Sequence, residues 1–372
     1  AASDPPGRVA NLILPAALSW SDGAEPAPPR PPSGLHAVPD DAVSAAVAAL
    51  RSGEPAVLLL GDGALRESGL VAAARVAAST GARVITEVFP ARMQRGAGLP
   101  AVPRLAYPVD VAHQQLAGTK HLILASALAP VSFFGYPGVA SELTPPDCHI
   151  HVLSEPGQDV VAALEHVADE MGAPEGPRAP AATPSRPTGP LTADTFAAAV
   201  AATLPEGAIV SDESATSGFR LGDAMVGAPR HDVLALTGGA IGQGLPVAVG
   251  AAVACPDRRV LALEADGSAM YTISALWTMA REQLNTTVVI LDNGAYAILR
   301  IELQRVGADV GSRAAEELFD LTRPRIDFAA LGTSLGVPST RAVTADELTA
   351  QLERSFAEPG PHLIHAVLAP RA

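Results

Sequence analysis

Two short polar runs in this chain are spaced so that they could do chemistry together. Glu264-Ala265-Asp266-Gly267-Ser268 ends the apolar stretch Arg259-Val260-Leu261-Ala262-Leu263, and Asp292-Asn293-Gly294-Ala295-Tyr296 ends Thr287-Val288-Val289-Ile290-Leu291. Asp266 and Asn293 are 27 residues apart. The apolar stretches read as buried parallel strands, and Thr272 to Gln283 between them has helical composition and spacing. A strand, helix, strand unit brings both strand ends to one sheet edge, where open α/β sheets bind ligands. Asp266 and Asn293 are then expected to be neighbours.

One carboxylate, one amide oxygen and one backbone carbonyl suit magnesium, which takes hard oxygen ligands and keeps positions for phosphate oxygens and water. Gly267 lets a phosphate approach the backbone, a helix starting after Ser268 offers free amide donors, and Ser268 adds a hydroxyl. Each half alone is equally a turn former that needs no metal. Gly61-Asp62-Gly63 is an internal control: it also follows an apolar run, Ala56 to Leu60, but the residue 27 positions beyond Asp62 is Phe89, which cannot bind a cation. That site reads as an ordinary strand-to-helix turn.

The paired pattern resembles the thiamine diphosphate enzymes, whose signature is Gly-Asp-Gly, a helix-sized interval, then Asn-Asn. Ala265 stands at the usual first glycine and Asp292 at the usual first asparagine; neither change removes a ligand. The resemblance implies Mg2+ ligation by the side chains of Asp266 and Asn293 and the main-chain oxygen of Ala295. It also implies cofactor contacts from Gly267, Ser268 and Tyr296.

Two further segments fit that implication. Thr237-Gly238-Gly239-Ala240-Ile241-Gly242-Gln243-Gly244-Leu245-Pro246 is a glycine-dense loop entering a small-residue helix, Val247 to Ala254, and suits close backbone approach. In the family such a loop lies against the cofactor, with Gly239 and Ala240 at the contact and Ile241 under the bend between the two rings. Val210-Ser211-Asp212-Glu213-Ser214-Ala215-Thr216 resembles the segment that reaches the diphosphate. Thr216 is the candidate there, an N-cap hydroxyl being the alternative.

At 372 residues the chain is expected to hold two or three domains. A formal charge of -14 argues against a nucleic-acid surface, whose binding needs lysine and arginine. Cys148 and Cys255 read as buried, reduced thiols, and the nine histidines show no cluster. His149 and His151 alternate along an expected strand and read as structural. No signal peptide or membrane-spanning run is visible, which leads to the expectation of a cytoplasmic protein.

Strands expected near Ala56 to Leu60, Arg83 to Thr86, His121 to Ala125 and Cys148 to Leu153 alternate with helices such as Gly69 to Thr80, and a similar alternation continues to Leu363 to Leu368. The expected fold class is α/β: two doubly wound parallel-sheet domains preceded by a remnant of a third. Proline-rich stretches read as extended linkers at 24–35 and 173–190. By the resemblance, 1–23 is a remnant of the pyrimidine-binding domain, 36–172 the central domain and 191–372 the diphosphate-binding domain. Gly7 to Pro15 would be that remnant's last strand. A first residue that is not methionine adds to the expectation of an N-terminal truncation.

The runs Ser268 to Trp277 and Asn293 to Leu299 are similar to acetolactate synthase large subunits and to benzoylformate decarboxylase. The resemblance implies a carboligase or decarboxylase of small 2-oxo acids, acting as a homo-oligomer, a dimer or tetramer, with no nucleic-acid or membrane partner. The activating glutamate would lie in the first domain, so no catalytic residue is assigned here. Ala129 to Tyr136 lacks the histidine that benzoylformate decarboxylase carries in that region, which favours the acetolactate synthase reading; FAD has no recognisable signature. A cofactor-holding, non-catalytic subunit served by a separate pyrimidine-domain chain is the alternative of a different class.

Overall fold

The structure, a computed structural model, describes residues 2–5, 7–23, 25–28 and 30–369. Positions 1 and 6 of the expected remnant, 24 and 29 of the first expected linker and 370–372 at the chain's end lie outside them. Among the described residues the strands are β1 (Ala56–Leu60), β2 (Arg83–Thr86), β3 (Met93–Arg95), β4 (His121–Ala125), β5 (His149–Ser154), β6 (Ala208–Glu213), β7 (His231–Ala235), β8 (Val260–Ala265), β9 (Thr286–Asp292), β10 (Ser339–Ala342) and β11 (His362–Val367). They form a four-stranded sheet, β2-β1-β4-β5, and a seven-stranded sheet, β10-β11-β9-β8-β6-β7-β3. The larger sheet is parallel except where the edge strand β3 runs antiparallel to β7.

The chain is thus of the expected α/β class. It divides into two compact units, one of Ala1–Ile85, His113–Pro130 and Thr144–Glu175, the other of Thr86–Ala112, Val131–Leu143 and Gly176–Ala372. The stretch 36–172 is therefore shared between them.

In the first unit, β1 and β4 are buried along their whole length, as a parallel strand covered on both faces must be. Gly61-Asp62-Gly63 makes the expected strand-to-helix turn, a 3-10 turn over Asp62–Leu65 leading into the helix Glu67–Thr80. The expectation that the histidines do not cluster is corrected. The β4–β5 register puts His121 opposite His149, and His121 Nδ1 lies 3.0 Å from His151 Nε2 while its Nε2 lies 3.1 Å from Glu54 Oε2. Parallel pairing between distant segments creates this cluster. The two cysteines are free, as expected, but half-buried rather than buried.

Residues 7–15 form no strand, which corrects a second expectation: Val9, Leu12 and Ile13 are about nine-tenths exposed and a 3-10 turn, Ala16–Trp20, follows. A strand exists only when its backbone groups have a neighbour to pair with, and among the described residues no strand pairs with this segment. The stretch 173–190 holds no helix or strand element, and it is tied down within the second unit: Ala179 N donates to Leu99 O and Ala182 N to Gly227 O, at 2.8 and 2.9 Å.

The core of the second unit lies in two layers, one on each face of the large sheet. Leu261, Leu263, Val289, Leu291 and Ile364 pack with Phe196, Val200 and Leu352 on one side. Val260, Ala262, Val288 and Ile290 pack with Leu245, Ala248, Leu276 and Met279 on the other. Alternation along β8 and β9 sends successive side chains to opposite layers, so both strands read as continuous apolar runs. Strand order reverses between β6 and β8, with β7 to one side of β6 and β9 beyond β8. That reversal opens a crevice at the carboxyl ends of β6, β8 and β9.

Away from that edge, Asp232 on β7 is 4% exposed and is held by Arg92 Nε and Arg258 Nη2, both at 2.7 Å. Burial alone would raise its pKa, but these two arginines outweigh it and hold the carboxyl below its ordinary value. Because the arginines are themselves partly solvated, Asp232→Ala is expected to cost about 2 kcal/mol. The contribution is complete above about pH 4 and lost as pH falls further. Denaturant unfolding should therefore show a gap between wild type and variant at pH 7 that narrows below pH 4.

Candidate functional site

The ends of β8 and β9 meet as their register requires, Ala265 opposite Leu291. Asp266 follows β8 and is 4% exposed; its Oδ2 accepts from Gly294 N at 2.8 Å and its Oδ1 from Gly267 N at 2.9 Å. One hydrogen bond thus joins the two polar runs. Asn293 Oδ1 accepts from Ala295 N at 2.9 Å, folding the second run into an Asx turn. Phe319 O and Leu321 N pair with Tyr296 N and Gly294 O, both at 2.9 Å, and pin that turn from outside. Tyr296 lies against Gly267: a Cβ there would stand 2.4 Å from Tyr296 Cε1, so only glycine fits.

The helix expected over Thr272 to Gln283 is shorter, Ala275–Arg281, and a separate helical turn, Asp266–Ala269, starts at the strand end. The helical start therefore lies at Asp266 rather than after Ser268, and its Gly267 amide is already held by Asp266 Oδ1. Ser268 Oγ is buried and donates to Ala265 O at 3.2 Å and towards Glu264 Oε2 at 3.4 Å. Burial, and then the nearby charge of Asp292, push the Asp266 carboxyl up to about 6 against the pull of the Gly294 and Gly267 amides. A buried carboxylate in that state gains from a cation.

Asp292, 2% exposed, is the acid beside this pair. Arg325 grips it with Nε on Oδ2 and Nη2 on Oδ1, both at 2.9 Å, and His365 Nε2 lies 2.9 Å from Oδ2. Burial pushes Asp292 up, but the bonds from His365 and Arg325 prevail and hold it below the ordinary carboxylate range. Arg325 is raised in return by that bond. Neither partner was legible in the sequence, because Arg325 and His365 come from distant segments that only the fold brings to the end of β9.

The glycine loop follows β7 and is strapped from several sides. Gln243 Nε2 donates to Thr237 O and Ala240 O at 2.8 and 2.9 Å, Thr272 Oγ1 to Gly242 O at 2.9 Å, and Ser211 Oγ to Gly244 O at 2.9 Å. Glu213, at the end of β6 and 1% exposed, accepts from Gly242 N on Oε1 and from Gly244 N on Oε2. Gly239 takes φ +61° and lies under Phe133, whose Cζ would stand 2.3 Å from a Cβ. The result holds Ala240 and Ile241 outward, Ile241 being 46% exposed.

Across the β6–β8 register Glu213 faces Glu264. Glu264 is 1% exposed and its Oε1 has no hydrogen-bond partner. Burial and then the charge of Glu213 raise its pKa well above the ordinary value. Sequence reading passed over both glutamates, since nothing in their spacing signals that two acids will share one buried space. Thr216 is buried inside the 3-10 turn Ala215–Gly218, and caps no helix there. The turn brings it to the carboxyl end of β6, while Asp266, Gly267, Ser268, Asn293, Ala295 and Tyr296 form the group at β8 and β9.

A cavity of about 60 Å3 lies beside that group, lined by Asp266, Gly267, Asp292, Tyr296, Arg325 and Phe328 among others, with Ser268, Asn293 and Ala295 outside its lining. It is sized for a hydrated ion rather than a large ligand. Asp266 supplies a carboxylate, Asn293 an amide oxygen and Ala295 a main-chain oxygen, so the available donors are hard oxygens, and a buried acid with a raised pKa stands among them. These residues fit a magnesium ion. Gly267 is closed to any Cβ because the Tyr296 ring fills that space.

Residues 222–366 match the family described as "Thiamine pyrophosphate enzyme, C-terminal TPP binding domain". Over 99% of its length the chain is 54% identical to a protein of Mycobacterium tuberculosis provisionally named acetolactate synthase large subunit IlvX, covering 71% of that protein. The chain belongs to the thiamine pyrophosphate enzymes. As a member of that family it is also 31% identical, over 55% of its length, to benzoylformate decarboxylase of Pseudomonas aeruginosa, of which it covers 38%. Its fold matches that of a thiamine diphosphate-dependent 4-hydroxybenzoylformate decarboxylase of Rhodococcus jostii with a TM-score of 0.69 at 24% identity, over 92% of this chain and 66% of that one. In this thiamine pyrophosphate enzyme no described helix is long and apolar enough to cross a membrane.

Gly244 gives a direct test of the strapped loop, because a Cβ there would stand 2.2 Å from Glu264 Oε1 and 2.8 Å from Glu213 Cβ. Gly244→Ala is expected to displace the loop and lower thermal stability by about 2 kcal/mol, within the range for overpacking. Unchanged stability in a melting experiment would mean that the two glutamates yield freely.

Proposed function

We propose that this thiamine pyrophosphate enzyme holds Mg2+ and the cofactor diphosphate at the ends of β8 and β9 and acts on a small 2-oxo acid, joining two pyruvates to acetolactate. The observation that carries the reading is the 2.8 Å bond from Gly294 N to Asp266 Oδ2, which ties the two polar runs into one oxygen-rich site. Asp266, Asn293 Oδ1 and Ala295 O would face the cation. A phosphate would lie beside the Asp266–Ala269 turn and Gly267, with Thr216 and Ser268 as hydroxyl neighbours. Gly239, Ala240 and Ile241 would carry the rings, Ile241 beneath them, and Tyr296 would close the wall above Gly267.

The bound cofactor supplies the electron sink that lets a 2-oxo acid lose carbon dioxide. The protein's share is placement, exclusion of water and charge. The second carbonyl would enter beside the helix Ala297–Arg305, on which Leu299 is exposed and Ile301 half-buried. Support for the acetolactate reading comes from the 54% identical relative; an oligomer, a dimer or larger, follows if the site lies between subunits.

One observation favours a second reading, a decarboxylase of an aromatic 2-oxo acid. In a chain with 4% aromatic residues, Phe89, Tyr107, Phe133, Phe134 and Tyr136 gather with successive ring centroids 5.0–6.4 Å apart, and Phe133 leans on Gly239. Such rings would suit a flat acyl group.

Asp266→Ala is expected to abolish magnesium-dependent uptake of thiamine diphosphate while far-UV dichroism stays that of the wild type. Uptake that survives the substitution would contradict the site. Product analysis separates the two substrates: acetolactate from pyruvate supports the first reading, and an aldehyde released from benzoylformate with pyruvate refused supports the second.

A further inference from the structure

The proposed site sits beside an acid that a diphosphate cannot tolerate. Asp292 is 2% exposed, lines the same cavity as Asp266 and Gly267, and lies one residue before Asn293. Two carboxylates and the phosphates of a cofactor within one small, poorly solvated space would repel each other far more strongly than in water. One magnesium ion cannot cancel them all.

Arg325 answers this charge. Its guanidinium makes the planar two-bond fork with both oxygens of Asp292, each at 2.9 Å, and its side chain, 42% exposed, is among those that line the cavity. Its Nη2 comes within 4.0 Å of the point where a Cβ on Gly294 would stand, so it borders the turn that carries Asn293 and Ala295. His365 completes the arrangement from beneath. Its Nε2 lies 2.9 Å from Asp292 Oδ2, its Nδ1 is 3.8 Å from Asp327 Oδ1, too far for a hydrogen bond, and its ring meets Phe328 edge-on at 5.4 Å. His365 thus fixes the orientation of the carboxylate while Arg325 supplies the opposing charge at the cavity.

We infer that Arg325 is a positioning residue for the diphosphate: by pairing with Asp292 it neutralises the one acid at the site that would not face a cation, and it fixes the turn bearing Asn293 and Ala295. The inference rests on the proposed function, since it assumes that a diphosphate binds at this edge. It is read in the ligand affinity of folded variants and not in stability, where any buried ion pair would show the same rescue. The damage caused by removing Arg325 should be undone by removing the charge of Asp292, because the offending group is the acid left behind.

The test is titration calorimetry of the full chain with thiamine diphosphate and magnesium, and with magnesium and inorganic diphosphate alone, alongside far-UV dichroism. Arg325→Met is expected to weaken both ligands about tenfold, the size of a coupling between charges in contact. Asp292→Asn combined with Arg325→Met is expected to recover to within about threefold of wild type. Arg325→Lys, which keeps the charge, should bind to within about threefold as well, and with the double variant it carries the test should Arg325→Met not fold. Wild-type affinity in a folded Arg325→Met, or a double variant as weak as the single one, would overturn the inference while leaving the proposed function standing. A wild type that takes up no thiamine diphosphate would overturn both.

Discussion

Four acids, Glu213, Glu264, Asp266 and Asp292, are each no more than 4% exposed at the carboxyl ends of three adjacent strands, and the second unit is arranged around their charge. Taking carboxylates out of water costs several kcal/mol each unless hydrogen bonds or opposite charges replace the lost solvent. Each is treated differently. Glu213 receives the amides of the glycine loop, Asp292 receives Arg325 and His365, Glu264 is shifted well above its ordinary pKa, and Asp266 is left with two amides and a raised pKa. Two of the four line the cavity, Asp292 with its charge paired to Arg325 and Asp266 with amides alone.

This arrangement explains why the loop and the strand ends behave as one object. Glu213 fixes Gly242 and Gly244, and so determines where Ile241 projects. Asp266 fixes Gly294, and so determines where Asn293 and Ala295 lie. Glycine is required where these elements touch: at Gly267 beneath Tyr296, at Gly239 beneath Phe133, and at Gly244 between the two glutamates. Reversal of strand order between β6 and β8 is what leaves the crevice open for them.

The strands, the α/β class and the pairing of the two polar runs were legible because each rests on local pattern: continuous apolar stretches, a helix-sized interval and turn-forming residues at strand ends. What could not be read depends on register between distant segments. Arg325 reaches Asp292 across 33 positions, and His365 across 73. The three clustered histidines come together only because β4 and β5 pair. The strand expected over residues 7–15 failed for the complementary reason: its composition is that of a strand, but strand structure is a property of a pair. The divided helix after Asp266 shows that a helical composition does not fix where the first turn begins, since the strand end itself supplies it.

The proposed function makes a single physical claim, that Asp266, Asn293 and the carbonyl of Ala295 would hold a divalent cation beside a diphosphate. The most direct measurement is a crystal structure of this protein grown with thiamine diphosphate and Mn2+ in place of Mg2+, with anomalous scattering used to locate the metal. An anomalous peak within about 2.3 Å of those three oxygens and of the diphosphate is the expected result for such a hard-oxygen site. A peak elsewhere, at Glu213 and Glu264 for example, or a diphosphate bound away from Gly267, would contradict it.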